Sequence, residues 1–158
     1  MSHQNGFLHD IDGLAELAHA HGAYLYADAI QAAGMVPIDV RRTPIDCFCA
    51  GTYKWLLGGF GIAPFFVRRS ILDQIPPDRR GFLQVSRELP GYQYEYHPGA
   101  RKFEYATPAF AAFYELGAGL SYLEQVGVDR IHAHGVALAQ RARRGLVEPV
   151  ARALSPMT

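Results

Sequence analysis

Two stretches, Ala23-Tyr24-Leu25-Tyr26-Ala27-Asp28-Ala29-Ile30-Gln31 and Asp46-Cys47-Phe48-Cys49-Ala50-Gly51-Thr52-Tyr53-Lys54, each hold a short apolar run that ends near a polar group. Runs of this length, rich in aromatic residues and bounded by turn formers, read as strands. Both are apolar throughout rather than alternating, as a sheet buried on both faces requires. Upstream, Leu14, Leu17 and Ala18 recur at helical spacing within residues 10–21. Asp10 or Asp12 caps that helix and Gly22 stops it. A second small helix is expected over residues 29–34. Pro37 and Pro44 punctuate the passage to the strand at Cys47–Ala50. Beyond Lys54 come Gly58, Gly59 and Gly61, then a third apolar run from Ile62 to Val67. Alternating helices and strands predict an α/β fold, a mostly parallel sheet in a three-layer αβα sandwich.

Farther along, residues 74–108 hold five prolines and three glycines, which predicts a long irregular excursion of the kind that carries function. Tyr92, Tyr94 and Tyr96 alternate within it, as in one short strand or an extended arm. From Pro108 the pattern turns helical to about Gln125, Gly127 breaks it, and another helix is expected from Asp129 to Leu146.

With 49% hydrophobic and 19% charged residues, the 158-residue chain has the make-up of a globular protein with one sizeable core. Fifteen basic and fifteen acidic residues give zero net charge, which argues against nucleic acid or a membrane surface as the main partner. The basic cluster of Arg141, Arg143 and Arg144 reads as a solvated helix face. No secretory signal and no apolar stretch of membrane-spanning length is visible. Cys47 and Cys49 share a strand face at a spacing too close for a relaxed bridge. Buried, reduced thiols fit a cytoplasmic protein.

The chemistry sits at the strand ends, where ligands of open α/β sheets bind. Asp28 closes the first strand and Lys54 follows the second. Gln31, three residues beyond Asp28, faces the same side of the expected helix. This set suits pyridoxal phosphate (PLP), an electron sink. A carboxylate at Asp28 stabilises a protonated pyridine nitrogen. Gln31 donates to the phenolic oxygen, and Lys54 is the amine for the aldehyde. Burial beside Trp55 and Leu56 lowers the cost of keeping that amine neutral. Gly51, Thr52 and their turn offer amides and a hydroxyl to the phosphate. Taken singly, such residues have plain readings: an Asp at a strand end is a helix cap, a Gln is solvated, and a Lys before Trp packs its stem on the ring.

The combination resembles the class V aminotransferase and cysteine desulfurase family of fold-type I PLP enzymes. The stretch from Tyr24 to Gly34 with Pro37-Ile38-Asp39-Val40 looks like that family's acid-and-glutamine segment. Asp46 to Leu56 with Gly59-Phe60-Gly61 looks like its Schiff-base segment. Ser2-His3 and Arg101-Lys102-Phe103-Glu104-Tyr105-Ala106-Thr107-Pro108 resemble two further family stretches. The resemblance implies that Asp28 pairs with the pyridine nitrogen, Gln31 meets the phenolic oxygen, Thr52 meets the phosphate, and Lys54 forms the internal aldimine and serves as general base. It implies a homodimer in which Thr107 reaches the partner's phosphate, an amino-acid substrate, and a place for Asn5 near the cofactor ring. Tyr53 stands where many relatives have histidine, which points away from the desulfurase branch, and Ala106 stands where glycine is usual.

By the same resemblance, residues 1–126 form part of a PLP-binding large domain, and residues 127–158 form a connecting helix and the start of a C-terminal small domain. A stacking aromatic, a Gly-Thr phosphate loop and a carboxylate-binding arginine are expected on sequence outside these residues. The isolated chain is expected to be marginally stable or to associate. Two other readings stand beside the enzyme. One is a catalytically inactive remnant or interaction module that keeps the fold. The other is a histidine metal site. It is disfavoured because His19 and His21, like His132 and His134, point ~200° apart on a helix.

Overall fold

The computed structural model describes residues 1–147, with side chains through residue 145. Helix α1 (Ile11–Ala20) starts where the Asp10 carboxylate accepts the Gly13 N–H at 3.0 Å. A cap of this kind contributes about 1 kcal/mol. Strands β1 (Tyr26–Asp28) and β2 (Cys47–Cys49) pair in parallel, and β3 (Phe65–Val67) pairs antiparallel to β2. The order β1-β2-β3 therefore gives a mixed sheet, in which the glycine-rich turn after Lys54 sends the chain back along its neighbour.

Register sorts the side chains. Asp28 lies opposite Cys49 and Ala27 opposite Phe48. Tyr26, Asp28, Cys47 and Cys49 thus share one face, while Ala27 and Phe48 share the other. The Phe48 face is covered. Ala29, Ala33, Ala50 and Leu56 pack with Leu116 and Leu123, with Phe48 and Ile131 against them. Leu116 and Leu123 come from helix α2 (Phe110–Val126), whose buried stripe of Ala112, Leu116, Gly119 and Leu123 follows helical spacing. Each buried leucine stabilises by about 1.5–3 kcal/mol. On the opposite face, Phe103 meets Phe65 edge-on at 5.6 Å, but Tyr26 and Asp28 stay open. Burial on both faces, expected from the apolar runs, is therefore met on one face among the described residues.

The expected helix at residues 29–34 is instead a pair of hydrogen-bonded turns. Asp28 Oδ1 accepts the Ile30 N–H at 2.9 Å, and Ala33 bridges to Val36. Gly34, at φ +91°, ends any helical course. The irregular excursion contains a hairpin, β4 (Val85–Leu89) with β5 (Gln93–Tyr96), antiparallel. The alternating tyrosines are in part its second strand. Gly127, at φ 87°, caps α2 through an N–H bond to Leu123, and α3 (Val128–Val147) follows directly. The beginning of a small domain, as far as it falls on residues 148–158, lies outside the described residues. Among the described residues no helix is long and apolar enough to cross a membrane.

Buried Asp46 braces the base of the sheet. Its carboxylate accepts the Leu25 N–H at 2.8 Å and lies 2.8 Å from His19 Nε2, tying α1, the approach to β1 and the start of β2 together.

Candidate functional site

Asp28 and the turn after β2 emerge at the same edge of the sheet because β1 and β2 run parallel. Between them lies an open cleft of about 430 Å³, lined by Asp28, Ile30, Cys49, Gly51, Tyr53 and Phe60 among others. Asp28 is exposed, and the Ile30 amide takes one of its carboxylate oxygens. Lys54 is half-buried, with Nζ 5.9 Å from the centroid of the Tyr53 ring that lines the cleft. Tyr53 in turn stacks on Phe60 at 4.6 Å. A carboxylate and an aromatic wall thus line one concavity, and the Lys54 amine stands beside that wall, over the Tyr53 ring, without itself lining the cleft.

The remaining sequence-predicted residues are placed unequally. Gln31 is half-buried in the turn that replaces the expected helix. Thr52 is fully buried, and its hydroxyl donates to the Gly59 carbonyl at 2.5 Å, with the Ile62 carbonyl a longer second acceptor of the same proton at 3.2 Å. That hydroxyl ties the ends of the glycine-rich loop together. Asn5 is exposed, its Oδ1 accepting the Phe7 N–H at 3.1 Å, and Thr107 is exposed after the 99–103 turn. Neither lines this cleft or the smaller one on the other side of Asp28.

One neighbour, Tyr26, was not singled out by the sequence. Tyr26 Oη donates to Cys49 Sγ at 2.9 Å. That bond, partial burial and the nearby Cys49 and Asp28 push the Tyr26 phenol up to about 12. The signal was available, since Tyr26 precedes Asp28 by two positions and so shares its face. Cys47 and Cys49 are free thiols, and burial, then the Asp46 charge, pushes the Cys47 thiol up. Among the described residues no group of three His, Cys, Asp or Glu side chains is placed to hold a metal ion.

The sequence matches the family model for aminotransferase class-V over residues 1–154. The chain belongs to that family. It is 38% identical over 132 residues to the "uncharacterized aminotransferase YcbU" of Bacillus subtilis (strain 168), covering 84% of this chain and 35% of that protein. It is 33% identical over 154 residues to a "probable cysteine desulfurase" of Streptomyces coelicolor, covering 97% and 36%. Among solved structures, the apo cysteine desulfurase of Thermococcus onnurineus NA1 superposes with a TM-score of 0.81 at 28% identity, over 90% of this chain and 36% of that one. The cysteine desulfurase CsdA of Escherichia coli gives a TM-score of 0.84 at 25% identity, over 94% and 37%. The fold is the α/β fold of fold-type I PLP enzymes, and membership in the family implies that cofactor. The chain spans a little over a third of the length of these relatives.

Proposed function

We propose that this chain is the lysine-bearing central part of a PLP-dependent class V enzyme acting on an amino acid, with Lys54 as the residue that joins the cofactor. The observation that carries this reading is the placement of Asp28 and of the turn bearing Lys54 at one end of paired parallel strands, beside a cleft that Asp28, Tyr53 and Phe60 line. The donor set fits the group. Among the described residues the second carboxylate oxygen of Asp28 has no hydrogen-bond partner and suits a protonated ring nitrogen, Gln31 offers an amide three residues on, and Lys54 offers a primary amine. The chain has only two lysines, and Lys102 is committed elsewhere, its Nζ donating to the Leu72 carbonyl at 2.6 Å.

When bound, PLP supplies an electron sink for the bonds at an amino acid's α-carbon. The protein's part is to hold Asp28 charged against the ring, to keep the Lys54 amine at the sheet edge, and to let Nζ take up the α-proton. Thr52 serves the phosphate end through the loop it ties and not through a free hydroxyl. The exposed position of Thr107 suits a contact made across a homodimer, Asn5 belongs near the cofactor ring, and free thiols at Cys47 and Cys49 fit the cytoplasm. Residues 1–126 act as part of the cofactor-binding large domain, with α3 leading toward a second domain.

A second reading, a fold retained without catalysis, is favoured by the open sheet face at Tyr26 and Asp28. Absorption spectroscopy separates the two. On adding PLP, the folded chain develops the visible band of an imine, which Lys54→Ala abolishes and Lys102→Arg preserves. A folded chain with no such band belongs to the second reading.

A further inference from the structure

The turn that carries Lys54 is gripped from two sides at the level of its backbone. On one side stands Gly34, where an added Cβ would run into the Trp55 carbonyl. On the other stands Gly119 of α2, buried, where an added Cβ would lie 2.6 Å from the Leu56 carbonyl oxygen and 3.0 Å from that of Leu57. Gly58 completes the grip, since an added Cβ there would lie 3.0 Å from Thr52 Cβ and 3.3 Å from Leu116 Cα. Within the turn, the Leu57 N–H reaches the Lys54 carbonyl at 3.1 Å and the Gly58 N–H reaches that of Thr52 at 2.9 Å. Leu57 itself sits at φ 58°, a conformation that a leucine holds only when its surroundings enforce it.

We infer that Gly119, 65 positions beyond Lys54 in sequence, is a positioning residue for the Lys54 amine. Its missing side chain lets α2 press directly on the Leu56 and Leu57 carbonyls, and this contact fixes where the lysine leaves the sheet edge. A methyl group at 119 meets backbone atoms on both carbonyls, so the loop must move and cannot merely rotate a side chain aside. Gly117 supplies the control. It lies on the same helix, with nothing within 4 Å of a Cβ built there. The cofactor arm of the inference rests on the proposed role of Lys54, whereas the clamp itself does not.

The test compares Gly119→Ala and Gly117→Ala in the full chain. The lone tryptophan, Trp55, adjoins Lys54 and reports the loop without cofactor. In Gly119→Ala, Trp55 emission shifts, the pH midpoint of the visible PLP band moves, and the fraction of Lys54 fixed by borohydride at matched PLP falls about tenfold, as expected when a reacting group is displaced from a distance. Gly117→Ala matches the wild type in all three. If Gly119→Ala leaves Trp55 emission, pH midpoint and Lys54 labelling unchanged, the inference is overturned. If the wild type takes no label at Lys54, the cofactor reading falls, and Trp55 emission alone then decides the clamp. If Gly119→Ala does not fold, hydrogen exchange on the wild type decides. Amides of Leu57 and Gly58 as slow as those of α2 uphold the clamp, and exchange at open-loop rates overturns it.

Discussion

The Lys54 segment and the 85–96 hairpin both turn the chain tightly, yet they are held in opposite ways. Around Lys54 the backbone is pressed between two elements, and a buried hydroxyl at Thr52 ties the loop. The hairpin holds itself by its own ladder, and Tyr92 at its tip is fully exposed. Near its base, buried Gln84 accepts the Gly81 N–H and donates to the Lys102 carbonyl at 2.7 Å, and Arg80 donates to the Tyr94 hydroxyl on its second strand. The difference teaches where precision is kept: buried backbone contact is concentrated on the strand ends that carry charge, whereas the outer half of the arm is tied by an exposed side-chain bond.

The contrast is tested most strongly at Asp46, beneath the Lys54 segment. Asp46→Ala removes the acceptor for Leu25 and the partner of His19 and is expected to cost about 3 kcal/mol in a denaturant melt. Next come two hydroxyls whose single protons each face two backbone carbonyls, Thr52 in the loop and Ser86 in the hairpin. Thr52→Val, at a site with no solvent exposure, should cost about 2 kcal/mol. Ser86→Ala, where water replaces the lost bonds, should cost about 0.5 kcal/mol. Equal losses at the two sites would erase the distinction between clamped loop and exposed arm. At the hairpin tip, Tyr92 holds φ 59°, and Tyr92→Gly should change stability by less than about 1 kcal/mol, because relief of the left-handed strain offsets glycine's extra chain entropy.

The smallest effect concerns pH. The Tyr26 phenol is raised from 10.0 to about 12, so the fold favours its neutral form. Any stability it lends is complete below pH 10 and is lost as pH rises toward 12. A tyrosinate absorbance titration should therefore lose a late-titrating phenol in Tyr26→Phe. Loss of an ordinary phenol instead would place Tyr26 away from Cys49.

Much of this was legible in the residues. Tyr24 to Asp28 and Cys47 to Ala50 announced strands because aromatic and apolar side chains ran unbroken to a polar stop. Spacing announced the helix after Pro108 and Leu123 on it, but not that Leu116 lies on its buried face. Gln31 misled, because helical spacing after Asp28 was overridden by the Asp28 carboxylate bonding the Ile30 amide and by Gly34 turning left-handed. Half of the hairpin escaped notice, since Val85-Ser86-Arg87-Glu88-Leu89 lacks the aromatic alternation of its partner. The antiparallel direction of β3 was hidden because composition does not encode strand direction. The role of Thr52 in tying the loop, and the pressure of Gly119 on it, are contacts between residues distant in sequence, which no local pattern reveals.

The central claim is that Lys54 is the cofactor's attachment point, and peptide mapping after borohydride reduction tests it most directly. The chain offers three amines, those of Met1, Lys54 and Lys102. The account predicts that PLP is fixed on Lys54 and that a chain denatured before reduction loses this preference. Label on Lys102 or the terminal amine, or label spread evenly over all three in the folded chain, would contradict it.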